Sequence, residues 1–264
     1  MKTSEWLKKY SIVLKKRFGQ NFLSDEVFVN KIVSFLNISE NDVIIEIGPG
    51  AGTLTEALLK TKAFVYAYEI DRTLEPLLKK RFENFKNFNL TIEDFLNVDL
   101  KSFKKPVYVA NIPYNISSPI FEKIFTETPD FKYAILMVQK EFGERVTAKS
   151  GKNYSPLSVF SQFYCDVETL INVPKSAFIP NPKIDSVVVK LTPNIKDKEI
   201  NPKLFLDFIH KCFSQRRKTI RNNLKLITDN AETILKDLNI DLTVRPENLS
   251  IETFIDIYKK IGSI

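Results

Sequence analysis

The segment Asn111-Ile112-Pro113-Tyr114 places two hydrogen-bond acceptors and an aromatic ring at one rigid corner of the chain. The amino group of adenine is a poor nucleophile because its lone pair is delocalised into the ring. If the side-chain oxygen of Asn111 and the carbonyl of Ile112 accept its two hydrogens, the lone pair is localised and can be directed at a methyl donor. Pro113 restricts the backbone, and Tyr114 can stack on the base. The segment therefore predicts in-line methyl transfer from a sulfonium, without a metal ion or a covalent intermediate.

A glycine-rich segment, Gly48-Pro49-Gly50-Ala51-Gly52, predicts a binding site for a small polar ligand. It follows an apolar run and precedes helix-forming residues, which is the pattern of a strand, a tight loop and a helix. Glycines let a ligand approach the backbone and adopt positive φ without penalty, and the start of a helix offers unpaired N–H groups. Thr53 stands where a dinucleotide fingerprint has its third glycine. A dinucleotide site, and with it a nicotinamide dehydrogenase, is therefore disfavoured.

Polar residues follow four successive predicted strands, at Gly48, Glu69, Asp94 and Asn111. In an open parallel sheet, ligands bind outside the carboxyl ends of the strands. Glu69 lies 21 residues after Gly48, close to the spacing of an acid that accepts hydrogen bonds from ribose hydroxyls. Asp94 is placed to accept from an exocyclic amine such as that of adenine. Each carboxylate alone could instead be a helix cap or a solvated strand end, but the four positions together predict a site for a nucleoside-containing donor.

The elements that must position these residues are predicted to form a mostly parallel sheet. Strands are predicted at 43–47, 63–68, 88–92, 106–110 and 133–138, and they alternate with helices, a rhythm typical of a parallel sheet covered on both faces. Strands at 166–173 and 186–192 are joined by a proline-rich loop without a crossover helix, which predicts an antiparallel pair at the edge. Ser24 is predicted to cap a helix over 28–36.

From about Lys196 onward only helical patterns remain, near 202–213, 216–228, 231–238 and 251–261. We therefore predict an α/β domain over residues 1–195 and a small helical domain over 196–264. The net charge is +7, with +5 in residues 1–24 and +6 in residues 211–225, so the remainder carries −4. Two basic segments around a mildly acidic body favour a polyanionic partner, most simply a nucleic acid. The alternative is that these cations only keep the surface soluble.

Composition excludes several other kinds of chemistry. Cys165 and Cys212 are far apart in sequence and lack C-x-x-C partners, so neither a disulfide framework nor a zinc site is indicated. His210 is the only histidine, which excludes a multi-histidine metal site. No apolar run approaches the length of a membrane span, and the first residues do not form an apolar signal segment. We expect a cytoplasmic protein without a metal ion and without a membrane partner.

Five segments together resemble the small-subunit rRNA adenine N6-dimethyltransferase family. They lie at 20–23, 46–55, 111–119, 178–186 and 216–224, and with them the resemblance extends over nearly the whole chain. It implies a Rossmann-like class I methyltransferase with a seven-stranded sheet. In this family S-adenosylmethionine donates two methyl groups to each of two adjacent adenines in a terminal hairpin loop of the rRNA. The resemblance also implies a role in ribosome biogenesis, with the rRNA recognised inside a pre-ribosomal small subunit, and we expect a monomer.

The resemblance implies functional roles for residues of this chain. The catalytic group would be Asn111, Ile112, Pro113 and Tyr114, with Phe178 helping Tyr114 to sandwich the target base. Ile112 stands where the family often has leucine, but that position acts through its backbone carbonyl. The cofactor site would comprise Asn21, Leu23, Gly48, Gly50, Glu69, Asp94 and Asn111. From the basic segments we predict RNA contacts by Lys15, Lys16, Arg17, Arg216, Arg217, Lys218 and Arg221, with Arg217 and Arg221 four residues apart on one helix face.

Two alternative functions stay open on the sequence alone. The related resistance methyltransferases, which modify an adenine of large-subunit rRNA, share segments 20–23, 111–119 and 178–186, whereas the run 216–224 matches the small-subunit enzymes. A non-catalytic ribosome-assembly factor of the same fold is weakened by the intact segment 111–114.

Overall fold

The computed structural model describes residues 2–15 and 19–262, which form two compact units. The large unit comprises Met1–Gly143 and Glu168–Pro193, and the helical unit comprises Glu144–Val167 and Asn194–Ile264. No helix in the described ranges is both long enough and apolar enough to span a bilayer.

The large unit is built on one seven-stranded sheet. The strands of the described chain are β1 (Phe22–Leu23), β2 (Val43–Ile47), β3 (Phe64–Glu69), β4 (Phe88–Ile92), β5 (Val107–Asn111), β6 (Tyr133–Gln139), β7 (Cys165–Val173), β8 (Phe178–Ile179) and β9 (Ser186–Pro193). The order in the large sheet is β4-β3-β2-β5-β6-β9-β7. Strands β2 to β6 pair in parallel, and β9 runs antiparallel to β6.

The edge of this sheet is antiparallel, as predicted. The Lys190 ammonium of β9 lies 3.6 Å from Glu168 Oε1 of β7, and the Asn194 N–H donates to the Tyr164 carbonyl at 2.7 Å. Since later residues of β9 thus lie beside earlier residues of β7, the two strands run in opposite directions. The predicted mostly parallel sheet with an antiparallel edge is confirmed.

Helices cover this sheet because its central strands are apolar on both faces. Ile44, Ile45, Val107 and Val109 are fully buried, as expected for parallel strands. The helices of the large unit are α1 (Thr3–Lys9), α2 (Glu26–Ser34), α3 (Thr53–Leu59), α4 (Glu75–Arg81) and α5 (Ser117–Glu127), and α6 (Lys140–Thr147) begins in this unit. Short 3₁₀ turns follow β3, β4 and β5 at Arg72–Leu74, Phe95–Asn97 and Tyr114–Ile116.

The register of the central strands brings the predicted ligand-binding residues together at the carboxyl ends of these strands. Ile47 of β2 pairs with Tyr68 on one side and with Ala110 on the other. One residue further along the chain come Gly48, Glu69 and Asn111, which therefore lie side by side at the carboxyl ends of their strands. Since the strand order reverses between β2 and β5, this end of the sheet contains the switch point where α/β sheets bind ligands.

A small second sheet holds the N-terminal segment in place. Strand β1 pairs antiparallel with β8, so that Leu23 lies opposite Phe178. Ser24 was predicted to cap the next helix, but Asp25 does so by accepting the Val27 N–H, at 2.9 Å. The backbone N–H and the hydroxyl of Ser24 instead bond to the Ala177 carbonyl, which continues the β1–β8 connection.

The helical unit packs around aromatic residues from α7 (Pro156–Tyr164), α8 (Pro202–Cys212) and α11 (Ile251–Gly262). Phe163 lies 4.6 Å from Phe205, centroid to centroid, and Phe205 contacts Tyr258 edge-on. Residues 144–167 were predicted in the first domain, but they group with the helical unit because α7 packs on α8 and α11. The remaining helices are α9 (Ile220–Leu224) and α10 (Ala231–Asp237).

The predicted helix over 216–228 is much shorter in the structure, because α9 begins only at Ile220. The buried side chain of Asn223 stabilises the preceding turn: its oxygen accepts the Gln215 N–H at 3.0 Å, and its amide donates to the Thr219 carbonyl at 3.2 Å. These bonds hold residues 214–219 in a non-helical loop.

Candidate active site

An open cleft lies at the carboxyl ends of β2, β3, β4 and β5, the place where open α/β sheets bind ligands. Five stretches of the chain line it: residues 19–23, residues 46–54 without Gly52, residues 68–70, residues 93–95, and residues 111–116 without Asn115. All the residues predicted to bind the cofactor are therefore brought together at one cleft: Asn21, Leu23, Gly48, Gly50, Glu69, Asp94 and Asn111.

The glycine loop shows why this segment tolerates few side chains. Gly48, Gly50 and Gly52 have φ of +68°, +57° and +84°. A Cβ added to Gly50 would lie 2.6 Å from the Phe22 ring, and one added to Gly52 would lie 2.7 Å from the Phe82 ring. A Cβ on Gly48 would meet no protein atom within 4 Å. Protein atoms thus enforce the second and third glycines, whereas the first leaves space that a ligand can fill.

Arg81, which was not among the predicted site residues, holds this loop in place from α4. Its guanidinium donates to the Ala51 carbonyl at 2.6 Å and to Glu56 Oε2 at 2.6 Å, and its side chain is only 6% exposed. The ring of Trp6 in α1 covers the guanidinium, with 5.6 Å between Cζ and the ring centroid. The only sequence signal was an arginine at the end of an amphipathic helix, which is usually a solvated position.

Glu69 is buried at the cleft and holds two backbone N–H groups. Its Oε2 accepts the Gly50 N–H at 3.0 Å, and its Oε1 accepts the Asp71 N–H at 2.8 Å. Burial raises the pKa of Glu69 to about 7, although these backbone bonds favour the ionised form. The predicted ribose acceptor therefore also fixes the glycine loop, and each of its oxygens retains a lone pair for a ligand hydroxyl.

Glu46 is a second buried carboxyl at the cleft, and it was not among the predicted site residues. It is 1% exposed, and its Oε2 has no hydrogen-bond partner among the described residues. Burial, reinforced by the nearby Glu69, raises the pKa of Glu46 to about 8. The available signal was an acid inside the apolar strand 43–47, since a charged residue is rarely buried without a partner.

Asp94 lies at the cleft in a fixed orientation. Its Oδ1 accepts the Leu96 N–H at 3.0 Å and so caps the turn Phe95–Asn97. The carboxylate is thus both a cap and a cleft-lining group, which were the two alternatives that the sequence left open.

The Asn111 side chain has one orientation, set by its neighbour Asn21. The Asn111 Nδ2 donates to the Asn21 backbone carbonyl at 2.8 Å. Because a carbonyl oxygen only accepts, the amide nitrogen must face it, which leaves Oδ1 as an acceptor directed elsewhere. The next residue, Ile112, is held by its backbone N–H on the Met137 carbonyl at 3.0 Å. Among the described residues, no donor bonds to the Ile112 carbonyl. Asn111 Oδ1 and the Ile112 carbonyl oxygen can therefore both accept a hydrogen bond from a ligand.

The two predicted stacking residues differ in the structure. Tyr114 is half-buried at the cleft, and its hydroxyl lies 3.1 Å from the Ser186 hydroxyl. Phe178 is 1% exposed and does not line the cleft. Because β8 pairs with β1, the Phe178 side chain belongs to the apolar core together with Leu23 and Val188. The structure therefore places Tyr114, but not Phe178, where a base could stack.

Comparison with known proteins identifies the family to which this arrangement belongs. Residues 13–262 match the family described as Ribosomal RNA adenine dimethylase. The chain belongs to the ribosomal RNA adenine dimethylase family. The match covers the cleft, the Asn111 corner and nearly all of the helical unit.

Individual relatives of this dimethylase chain agree with that assignment. The Ribosomal RNA small subunit methyltransferase A of Thermotoga neapolitana is 46% identical over 98% of this chain and 95% of its own length. A crystal structure of a dimethyladenosine transferase from Plasmodium falciparum is 31% identical, with a TM-score of 0.80 over 91% of this chain and 98% of that one. The structure of 23S rRNA methyltransferase ErmE is 22% identical, with a TM-score of 0.73 over 92% of this chain and all of that one, and shows the same fold. The predicted class I methyltransferase fold is confirmed.

The residues predicted to bind RNA are in different environments in this dimethylase. Arg216, Arg217 and Lys218 are exposed in the turn before α9, whereas Arg221 is half-buried on α9, 3.7 Å from Glu232. The prediction that Arg217 and Arg221 share a helix face is wrong, since Arg217 precedes the helix.

The N-terminal cations are only partly described. The Lys15 ammonium lies 2.6 Å from Oδ1 of the buried Asp71, so it forms an ion pair inside the protein rather than facing an open surface. Lys16 and Arg17 lie outside the described residues.

Metal ligands do not form a cluster in residues 2–15 and 19–262: no group of three or more His, Cys, Asp or Glu side chains is arranged to hold an ion. Cys165 and Cys212 are buried, and burial raises the pKa of both thiols, so neither suits a nucleophilic role.

Proposed function

We propose that this dimethylase transfers methyl groups from S-adenosylmethionine to N6 of two adjacent adenines in a terminal hairpin loop of small-subunit rRNA. The observation that carries the proposal is the Asn111 amide, whose nitrogen is held by the Asn21 carbonyl at 2.8 Å beside the glycine loop. That contact leaves Oδ1 and the Ile112 carbonyl as two adjacent acceptors, which is what an adenine amino group requires. The names of relatives 44–46% identical to this chain support the small-subunit substrate.

The residues at the cleft fit S-adenosylmethionine. The open space at Gly48 accepts a ligand against the backbone, Glu69 faces it with hydroxyl-accepting oxygens, and Asp94 offers an acceptor for the adenine amine. Asn21 and Leu23 supply a polar group and an apolar wall from the N-terminal segment. When bound, S-adenosylmethionine supplies an electrophilic methyl group on a sulfonium.

The residues of this chain act on the target amine by orientation. Asn111 Oδ1 and the Ile112 carbonyl accept its two N–H bonds, so that the nitrogen lone pair leaves the ring system and projects along one direction. Both acceptors are preorganised, because Asn21 fixes the amide and Met137 fixes the backbone of Ile112. Tyr114 positions the ring from the side of the cleft. No side chain needs to remove a proton before transfer, since the methylated nitrogen becomes acidic and releases its proton to water.

In this proposal, exposed cations bind the RNA. Arg216, Arg217 and Lys218 would contact phosphates, with Lys16 and Arg17 as further candidates from the sequence. The target adenine must leave its stack to reach Tyr114, which favours a loop base over a paired one. Recognition of the rRNA within a pre-ribosomal small subunit, a monomeric state and a cytoplasmic location are parts of the same proposal.

One experiment separates this function from the alternatives. The protein is incubated with labelled S-adenosylmethionine and with either undermodified small ribosomal subunits or large subunits, and the modified adenines are mapped. Dimethylation of two adjacent adenines in the small subunit is the expected result. Label only in the large subunit would assign the resistance-type activity, and label in neither subunit would leave the non-catalytic assembly factor.

A further inference from the structure

The Asp71 carboxylate is bonded on both oxygens although it lies in a loop after β3. It is 1% exposed, and its Oδ1 accepts from the Lys15 ammonium at 2.6 Å. The Thr73 backbone N–H and hydroxyl donate to the same oxygen at 3.1 and 2.7 Å. Its Oδ2 accepts from the Gln20 amide at 2.7 Å. Although burial opposes ionisation, the bonds from Lys15, Thr73 and Gln20 hold the pKa of Asp71 below its usual value.

The bonds to Lys15 and Gln20 exceed what the local turn requires. In the helical unit, Asp241 makes the same two bonds to Thr243, at 2.8 Å to the N–H and 2.9 Å to the hydroxyl, on an exposed loop. Asp71 differs in reaching two residues that precede it by 56 and 51 positions. Gln20 is held from its other side as well, because its Oε1 accepts the Lys15 N–H at 2.7 Å.

Two chains of contacts lead from Asp71 into the cleft. Its backbone N–H donates to Glu69 Oε1 at 2.8 Å, and the other oxygen of Glu69 holds the Gly50 N–H. The second path starts at the Asp71 side chain, which bonds to the Gln20 amide. Gln20 is followed directly by Asn21, whose carbonyl orients the Asn111 amide. One residue thus contacts both the carboxylate that fixes the glycine loop and the segment that fixes the acceptor corner.

We infer that Asp71 is a positioning residue for methyl transfer: through Gln20 it fixes the Asn21 backbone, so that the Asn21 carbonyl keeps the Asn111 amide oxygen directed at the target amine. This inference rests on the proposed function. Without the bond between Asp71 and Gln20, the Asn21 carbonyl moves and the Asn111 amide can turn its nitrogen toward the amine. The Asn111 amide nitrogen and the target amine, which are both hydrogen-bond donors, then face each other, and the lone pair of the adenine nitrogen is no longer localised.

A reversal of the hydrogen bond tests this directly. Asp71→Asn keeps an oxygen for Thr73 and Lys15 but turns an amide toward the Gln20 amide, and Gln20→Glu sets two carboxylates against each other. Each single variant should lower kcat at saturating S-adenosylmethionine and RNA by about tenfold to a hundredfold, the range for a lost charge-assisted bond. In the double variant, the amide introduced at position 71 can donate to the carboxylate introduced at position 20, and kcat should return to within about threefold of the wild type.

The matched control is Asp241→Asn, which perturbs the same Asp–Thr arrangement in the helical unit and should leave kcat unchanged. Thermal unfolding of each variant reports whether it folds, and if Asp71→Asn does not, Gln20→Leu removes the same bond and must show the same loss of kcat. Normal kcat in the single variants, or a double variant no faster than the faster single one, overturns the inference. Absence of methylation by the wild-type protein would instead refute the proposed function.

Discussion

Replacing Gly48 by alanine tests whether the cleft binds its ligand against the glycine loop. Gly48 has φ of +68°, and an added Cβ would meet no protein atom within 4 Å. The cost to folding is therefore the backbone strain of a left-handed alanine, about 1–2 kcal/mol. The new methyl group would project into the space where we place S-adenosylmethionine. Overfilling a packed site by one methyl costs about 1–3 kcal/mol, so affinity should fall by roughly five- to a hundredfold.

Gly151 in the helical unit provides the matched control. Its φ is +79°, and a Cβ there would also meet nothing within 4 Å. Gly151→Ala should therefore lower the midpoint of thermal unfolding by about as much as Gly48→Ala, at roughly 2–4 °C per kcal/mol, while leaving ligand affinity unchanged. Calorimetric titration with S-adenosylmethionine measures the affinity. Equal affinities of the two variants would refute the placement of the ligand at Gly48.

Three further predictions follow from the site and the surface. Asn111→Ala should abolish most methyl transfer while retaining RNA binding, because the lost contact acts chiefly in the transition state; near-normal turnover at saturating cofactor would contradict the mechanism. Glu46→Gln should match the wild type in unfolding free energy near pH 4 and exceed it by pH 9. The reason is that folding raises the pKa of Glu46 from 4.5 to about 8, so the unfolding free energy of the wild type falls by about 1.4 kcal/mol per pH unit between these two values. Denaturant titrations at a series of pH values measure this difference. Replacing Arg216 and Arg217 together by alanine should flatten the dependence of log RNA affinity on log salt by about 0.7–0.9 per lost phosphate contact, whereas Lys225→Ala, which removes a cation paired with Glu232 at 2.8 Å, should not.

The sheet and the cleft were predictable because their signals are local. Strands buried on both faces are continuous apolar runs, and the residue that follows each run must lie at the carboxyl end of its strand, where such sheets bind ligands. Glu69, Asp94 and Asn111 could thus be assigned to one site from their positions after strands, without any knowledge of helix packing. The glycine loop was predictable for the same reason, since positive φ at alternate residues leaves a clear pattern.

The errors arose where a side chain competes with the backbone pattern. Residues 216–219 carry a helical periodicity, but Asn223 bonds to Gln215 and Thr219 and holds them in a turn. Ser24 and Asp25 are both good caps, and only the pairing of β1 with β8 decides between them by engaging Ser24. The same pairing buries Phe178, which a sequence motif cannot reveal.

Amide orientation shows why a motif alone does not define this site. The segment 111–114 supplies the correct residue types, yet an asparagine side chain offers its oxygen or its nitrogen according to what it contacts. The contact is the carbonyl of Asn21, 90 residues earlier in the chain. That carbonyl carries no side-chain signature, and its position depends on β1, on Gln20 and on Asp71. A chain that kept the tetrapeptide but lost this support would retain the acceptor atoms without their direction, and the adenine lone pair would stay in its ring.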